Sequence, residues 1–187
     1  HLSIRRQRQM CIRDSINTYV NASDDAICLK SEAKTKDSCI NIYIANCKLR
    51  SSANAVKFGT ASKGGFRNVV VKNIEVWDTY RSAIALEAVD GGFLENVQVQ
   101  NIKATNTGNA IFIKLGHRNK DARYSIVRNI HIKDMYVEVP ATKPDKGYNM
   151  EGPLLRYPPG IVPAKSGEVQ SVSPWNCLLY TSDAADE

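Results

Sequence analysis

The sequence predicts an all-β solenoid, a parallel β-helix with three strands per coil, and three observations carry that prediction. Four segments share one plan: a small polar or acidic residue, an alanine, then large apolar residues at alternate positions. They centre on Ala26, Ala55, Ala83 and Ala110, which are 29, 28 and 27 residues apart. A second family, each member led by Asn41, Asn68, Asn96 or Asn129, interleaves with the first at spacings of 27, 28 and 33 residues. Within both families β-branched residues recur at every second position, the period of a strand rather than a helix. A repeat of this length with one plan per turn describes stacked coils, each hydrogen-bonded to its neighbours about 4.8 Å away.

In chain order, the first rung is Asp24-Asp25-Ala26-Ile27-Cys28-Leu29-Lys30-Ser31, with Ile27 and Leu29 facing inward and Cys28 and Lys30 outward. The same alternation turns Lys57 and Gly59, Ala85 and Glu87, and Phe112 and Lys114 outward on the following coils. Each Asn-led block reads as two short strands hinged at Asn46, Asn73, Asn101 or Asp134, residue types that tolerate the left-handed backbone of a sharp corner. Val69, Val71, Ile74 and Val76 are expected inside, stacked with Ile42, Ile44, Cys47 and Leu49 on one side and Val97, Val99 and Ile102 on the other. Asn73 and Asn101 are expected to form a structural amide ladder.

Between coils, Ser62-Lys63-Gly64-Gly65-Phe66 and Asp90-Gly91-Gly92-Phe93 read as turns at one phase of the repeat, each followed by an aromatic that plugs the core. A phosphate-cradling loop would need a helix behind it, and strands follow instead. A polar excursion at residues 118–124 lengthens one coil, and residues 140–176 read as a lid over the cleft or an inserted loop, centred on Tyr148-Asn149-Met150-Glu151-Gly152-Pro153.

The two ends read differently. One DNA string can encode Arg5-Arg6-Gln7-Arg8-Gln9-Met10-Cys11-Ile12-Arg13-Asp14, and its reverse complement, read one frame over, encodes Cys177-Leu178-Leu179-Tyr180-Thr181-Ser182-Asp183-Ala184-Ala185-Asp186. The shared element, roughly thirty nucleotides, resembles a sequencing-library adapter, so residues 1–15 and 177–187 are expected to be non-native and the β-helix, coils at 16–139, to be truncated at both ends. Setting aside four arginines and four acidic residues at the ends leaves the formal charge at +6. That charge is scattered, without a basic run interleaved with aromatics, so it is weak evidence for nucleic acid, which is not expected as a partner, and it fits an acidic polysaccharide about as well. Cys28, Cys39 and Cys47 lack metal-ligand spacing and are expected to be small buried hydrophobes rather than disulfides. No apolar run is long enough to span a bilayer.

One outer face is therefore expected to carry Lys30, Lys57, Glu87 and Lys114 in neighbouring columns, with Asp24 and Asp25 where the first strand begins. Charged side chains along a sheet suit a polysaccharide groove, although a merely solvated face would read the same. Adjacent carboxylates repel, so one holds its proton at a higher pH than the other, which divides them into an acid and a base. Single-displacement glycoside hydrolysis needs that division, with the two carboxyls about 6.5–9.5 Å apart so that a water fits between base and sugar. Adjacent residues rarely span that gap, so a further carboxylate is expected from a coil before Ile16 or from Glu87.

Asp24-Asp25-Ala26-Ile27-Cys28-Leu29-Lys30-Ser31, the Gly59-Thr60 and Gly64-Gly65-Phe66 region, and Ile84-Ala85-Leu86-Glu87 together resemble glycoside hydrolase family 28, the polygalacturonase family, over residues 16–139. The resemblance implies a right-handed parallel β-helix and a secreted or periplasmic, monomeric, inverting hydrolase of pectic chains that needs no metal or cofactor. By it Asp24 is the general acid and Asp25 the base. Two departures limit it. The family's Gly-His-Gly turn corresponds to Ala53-Asn54-Ala55, and its Arg-x-Lys pair to Ala85-Leu86-Glu87. A different or modified sugar is thus expected, or a chain held by Lys30, Lys57 and Lys114 with contacts from Asn54, His117 and Arg118. A β-helix polysaccharide lyase and a non-catalytic glycan-binding solenoid are the alternatives.

Overall fold

In a computed structural model, residues 13–32, 38–141 and 178–180 are described, and every named element is a β-strand. The strands are β1 (Arg13–Ile16), β2 (Tyr19–Ala22), β3 (Ile27–Ser31), β4 (Cys39–Ser51), β5 (Val56–Ser62), β6 (Phe66–Ala88), β7 (Phe93–Leu115), β8 (Ile126–Val137) and β9 (Leu178–Tyr180). All named strand pairs are parallel, and they join one coil to the next: β1 and β2 pair with β4, β4 with β6, β3 with β5, β5 with β6, β6 with β7 and β7 with β8. The chain is a parallel β-helix. Ile27, Val56, Ile84 and Ile111 pair in successive coils, so the four alanines before them occupy adjacent rungs of one sheet.

The interior follows the alternation. Ile42, Val69, Val97 and Ile130 form one column, Ile44, Val71, Val99 and Ile132 the next, and Cys47, Ile74, Ile102 and Met135 a third. In the central coils these side chains are almost wholly buried. On the third wall Leu29, Phe58, Leu86 and Ile113 stack, and Phe58 meets Phe66 edge to face at 5.6 Å across the core. Each such buried side chain contributes about 1.5–3 kcal/mol relative to leaving it in water.

The corners are made by asparagine and aspartate in the left-handed region. Asn46, Asn73, Asn101 and Asp134 have φ of 54–55°, as expected. The leading residues Asn41, Asn68, Asn96 and Asn129 do the same, at 54–57°, so they are corners too and not merely strand starts. Both positions carry ladders. Asn101 donates through Nδ2 to Asn73 and Asn73 to Asn46, each at 2.9 Å. A longer ladder runs from Asn129 through Asn96 and Asn68 to Asn41, each step 3.0 Å. The strands do not break at these corners: β6 and β7 each run 23 residues, because a single left-handed residue bends the chain while its neighbours keep pairing.

Two expectations need correction. Phe66 is fully buried, but its partner on the next coil is Leu94, not Phe93. Phe93 sits one residue out of phase, half-buried beneath the Arg67 guanidinium at 4.2 Å, so only one of the two turns is followed by a core aromatic. Cys47 is buried as expected, whereas Cys28 and Cys39 are only half-buried, since they fall on outward or edge positions of their strands. Residues of both expected non-native ends also pair with the coils: β1 begins at Arg13, and β9 pairs with Phe112–Lys114. An unpaired strand edge accepts any extended segment through its backbone, whatever the side chains. The segment at 142–176 lies outside the described residues.

Candidate functional site

The third wall, built from β3, β5 and the ends of β6 and β7, departs from the regularity of the other two. Between Leu29 and Ser31 of β3 the register with β5 shifts, so that Leu29 pairs with Phe58 but Ser31 with Ser62. The two extra residues in β5 begin at Gly59, whose φ is +89° and where a Cβ would lie 2.8 Å from the Glu87 carbonyl oxygen. Only glycine fits a left-handed backbone pressed against the next coil. The resulting bulge brings Thr60 beside Glu87 rather than onto the regular ladder.

Around that bulge lies a cluster of buried charge. Lys57 Nζ is 3.4 Å from Asp25 Oδ2 and 3.5 Å from Glu87 Oε1, and all three side chains are at most 13% exposed. Asp25 Oδ1 accepts from the Asn54 backbone N–H at 3.1 Å and from Asn54 Nδ2 at 2.8 Å. Glu87 Oε2 accepts from Thr60 Oγ1 at 2.9 Å. Asn54 Oδ1 in turn accepts from the Ser82 N–H, and Asn109 Nδ2 donates to Ser82 Oγ, so the network spans four coils. Burial pushes the Lys57 ammonium toward a lower pKa, but the Glu87 and Asp25 carboxylates outweigh it and hold the pKa above the ordinary lysine value. Cys28, whose Sγ donates to the Gly59 carbonyl at 3.3 Å, has its thiol pushed up to about 12 by burial and then by the Asp25 carboxylate. It is a protonated thiol at neutral pH.

The sequence-predicted residues divide into two groups. Asp25, Asn54, Lys57 and Glu87 converge as one network, although Asn54 is buried and its amide is committed to Asp25 and Ser82. Asp24 does not join it. Its carboxylate is exposed and has no hydrogen bond or ion pair among the described residues, while its backbone carbonyl accepts from Ser51 Oγ at 2.7 Å. Lys114 pairs in register with Glu87, half-buried on the following rung. Lys30 is exposed at the end of β3. His117 and Arg118 belong to the turn beside the wall: the His117 ring stacks on Tyr124 at 4.6 Å and its Nε2 meets the Asp121 carbonyl, while Arg118 makes two 2.8 Å bonds to Asp90. That ion pair holds Asp90 below the usual carboxylate range; burial opposes it, and the Arg118 guanidinium and the Ser62 N–H prevail.

Sequence reasoning overlooked two residues that this geometry brings in. Thr60 meets Glu87 only because of the bulge, which leaves no local signature. Arg81 stands two residues before its repeated alanine, as Asp24, Ala53 and Gly108 do before theirs, but the pairing of β6 with β7 shifts register between Thr79 and Ser82, so that spacing alone does not stack it on them. Its backbone N–H bonds the Ala53 carbonyl at 2.8 Å, but its buried Nε has no hydrogen-bond partner.

Chemically, the wall offers an exposed carboxylate, an adjacent carboxylate fixed by an amide and an ammonium, and an unbonded guanidinium. Among the described residues no group of three or more His, Cys, Asp or Glu side chains converges as metal binding would require. Compared with known families, curated proteins and solved structures, the chain gives no significant match.

Proposed function

We propose that this β-helix is a glycoside hydrolase that cleaves an acidic, pectin-like polysaccharide outside the cytoplasm by single displacement, with Asp24 as general acid and Asp25 as base. The observation that carries the reading is the unlike setting of two neighbouring carboxylates. Asp25 is fixed from below by Asn54 and Lys57, and its Oδ2, with only the 3.4 Å contact to Lys57, is the oxygen left to orient a water. Asp24 is exposed and free to meet a glycosidic oxygen. Acid and base then act from one rung while the remaining coils offer subsites for a chain. General acid–base catalysis of this kind contributes about 10²–10⁴-fold, so Asp24→Asn and Asp25→Asn should each lower reducing-end release from pectic chains at least 100-fold. Full activity in both variants would refute the assignment.

A second reading is a non-catalytic glycan-binding wall. It is favoured by the position of the Lys57 ammonium between Asp25 and Glu87, where an inverting mechanism using those two carboxylates would place its water. Oligosaccharide binding with no reducing ends released would support that reading over hydrolysis, and unsaturated products absorbing in the ultraviolet would point to a lyase.

A further inference from the structure

Elsewhere among the described residues, ion pairs close to hydrogen-bonding distance. Glu95 is met by Arg67 at 2.9 Å and by Arg128 at 2.8 Å, Asp90 by Arg118 at 2.8 Å, and Glu75 by Lys48 at 3.0 Å. Lys57 departs from this: its Nζ stands 3.4 Å from Asp25 Oδ2 and 3.5 Å from Glu87 Oε1. A charge-assisted hydrogen bond spans about 2.7–2.9 Å, so the ammonium closes on neither carboxylate. Exposure does not explain the gap, because attraction between charges strengthens where water is excluded. Lys48 is 61% exposed and still closes to 3.0 Å, whereas Lys57 is 13% exposed and does not. An ammonium drawn from two sides by two fixed anions accounts for both long contacts.

Both anions are fixed from their far sides. Asp25 Oδ1 accepts from the backbone N–H and the Nδ2 of Asn54, and Glu87 Oε2 accepts from Thr60 Oγ1 at 2.9 Å. Glu87 is buried, and the bulge that brings Thr60 to it depends on Gly59, which leaves no room for a side chain against the Glu87 backbone. Burial pulls the Lys57 pKa down, and the carboxylates more than offset this, Glu87 ahead of Asp25. Glu87 is therefore the stronger of the two counter-ions, and it sits on the side of the ammonium away from the base.

We infer that Glu87 is a positioning residue for hydrolysis: held by Thr60, it keeps the Lys57 ammonium off Asp25 Oδ2, so that this oxygen retains a lone pair for the attacking water. The inference rests on the reading of Asp25 as the base. It also takes Lys57 and Glu87 away from direct contact with the sugar, since side chains 13% and 10% exposed and engaged with one another offer a ligand little.

The experiment measures kcat and KM for reducing-end release from polygalacturonate and from methyl-esterified pectin by the full chain, with Glu87→Gln, Thr60→Val and the double variant Lys57→Met with Glu87→Gln. In Glu87→Gln a neutral amide no longer balances the ammonium, which closes on Asp25. Its kcat should fall about 10- to 100-fold with KM within about twofold, the effect expected of a slightly misplaced catalytic group. Thr60→Val only loosens the hold and should lose less, again in kcat. Adding Lys57→Met to Glu87→Gln removes the ammonium that obstructs the base and should restore much of the lost kcat, a recovery that neither a structural role nor a sugar contact of Glu87 would give. Near-ultraviolet circular dichroism checks the fold of each variant, and Thr60→Val carries the test should Glu87→Gln misfold. A raised KM at unchanged kcat in Glu87→Gln, or no recovery in the folded double variant, overturns the positioning role and leaves Asp25 as base. Release of no reducing ends from either substrate by the unmodified chain defeats the proposed hydrolysis, and this inference with it.

Discussion

On the wall that begins at Asn41 the corners and the interior repeat: asparagine stacks on asparagine through four coils and β-branched residues stack inside, while its outward columns, such as Tyr43, Val70, Gln98 and His131, change from rung to rung but stay at the surface. On the wall that carries Asp25 no outward column repeats. Cys28, Lys57, Ala85 and Phe112 share one column, and Asp25, Asn54, Ser82 and Asn109 another. A ladder of identical amides is satisfied by translation along the helix axis, so its function is complete once the coil is built. A column of unlike groups is satisfied only by particular partners, and it leaves some groups unsatisfied. In this solenoid, the wall that stands out chemically is the one where unlike groups are buried and bonded across rungs.

That contrast can be broken most sharply at Lys57. Replacing it with methionine leaves two buried carboxylates without their cation, and stability should fall by about 3–5 kcal/mol, read as a lower urea midpoint. Restoring neutrality with Asp25→Asn and Glu87→Gln in the same chain should recover much of the loss, since the cost lies in the unpaired charges. With its pKa raised in the folded state, Lys57 also contributes stability that is fully present below the unfolded lysine pKa and lost as pH rises through the higher folded value. The unmodified chain should therefore weaken at strongly alkaline pH, and Lys57→Met should remove that portion of the pH dependence.

Cys28 sharpens the comparison in a second way, because it reports the charge of the wall directly. With its pKa raised from 9.0 to about 12, its thiolate fraction near neutral pH is lower than that of an ordinary thiol. Alkylation by iodoacetamide, followed by peptide mass spectrometry, should be at least about 10-fold slower than for a free cysteine, and Asp25→Asn should speed it. Reaction at the rate of an unhindered thiol would contradict the buried network.

On the repeating wall the effects should be smaller and alike at each rung. Asn73→Ala forces alanine into φ of 54° and cuts the ladder between Asn46 and Asn101, for a loss of about 1–2 kcal/mol, whereas Asn73→Gly should lose less. Smallest is the ion pair at the turn. The Asp90 pKa is lowered in the folded chain, so its contribution is present above the ordinary carboxylate pKa and lost as pH falls through the folded value. Arg118→Ala should reduce stability by about 0.5–1 kcal/mol near pH 7, given the half-exposed guanidinium, and the difference should vanish in strong acid.

The sequence by itself determined the coil. Its period, its inward alternation and the Asn46, Asn73 and Asn101 corners are local properties, repeated often enough for each copy to vouch for the others, and the order of alanines on one sheet follows from them. What it could not determine is which groups meet across coils. Asp25 finds Asn54 from 29 residues away, and Thr60 finds Glu87 across the neighbouring rung only after β5 has gained two residues on β3. Phe93 falls out of phase with Phe66 for the same kind of reason. A shift of two residues in register leaves the apolar alternation intact, because that pattern constrains only which side of the strand faces the core, whereas a shift of one, as at Phe93, turns the side chain outward. Either shift changes every contact on the outer surface, and those contacts belong to the stacked coils together rather than to any one of them.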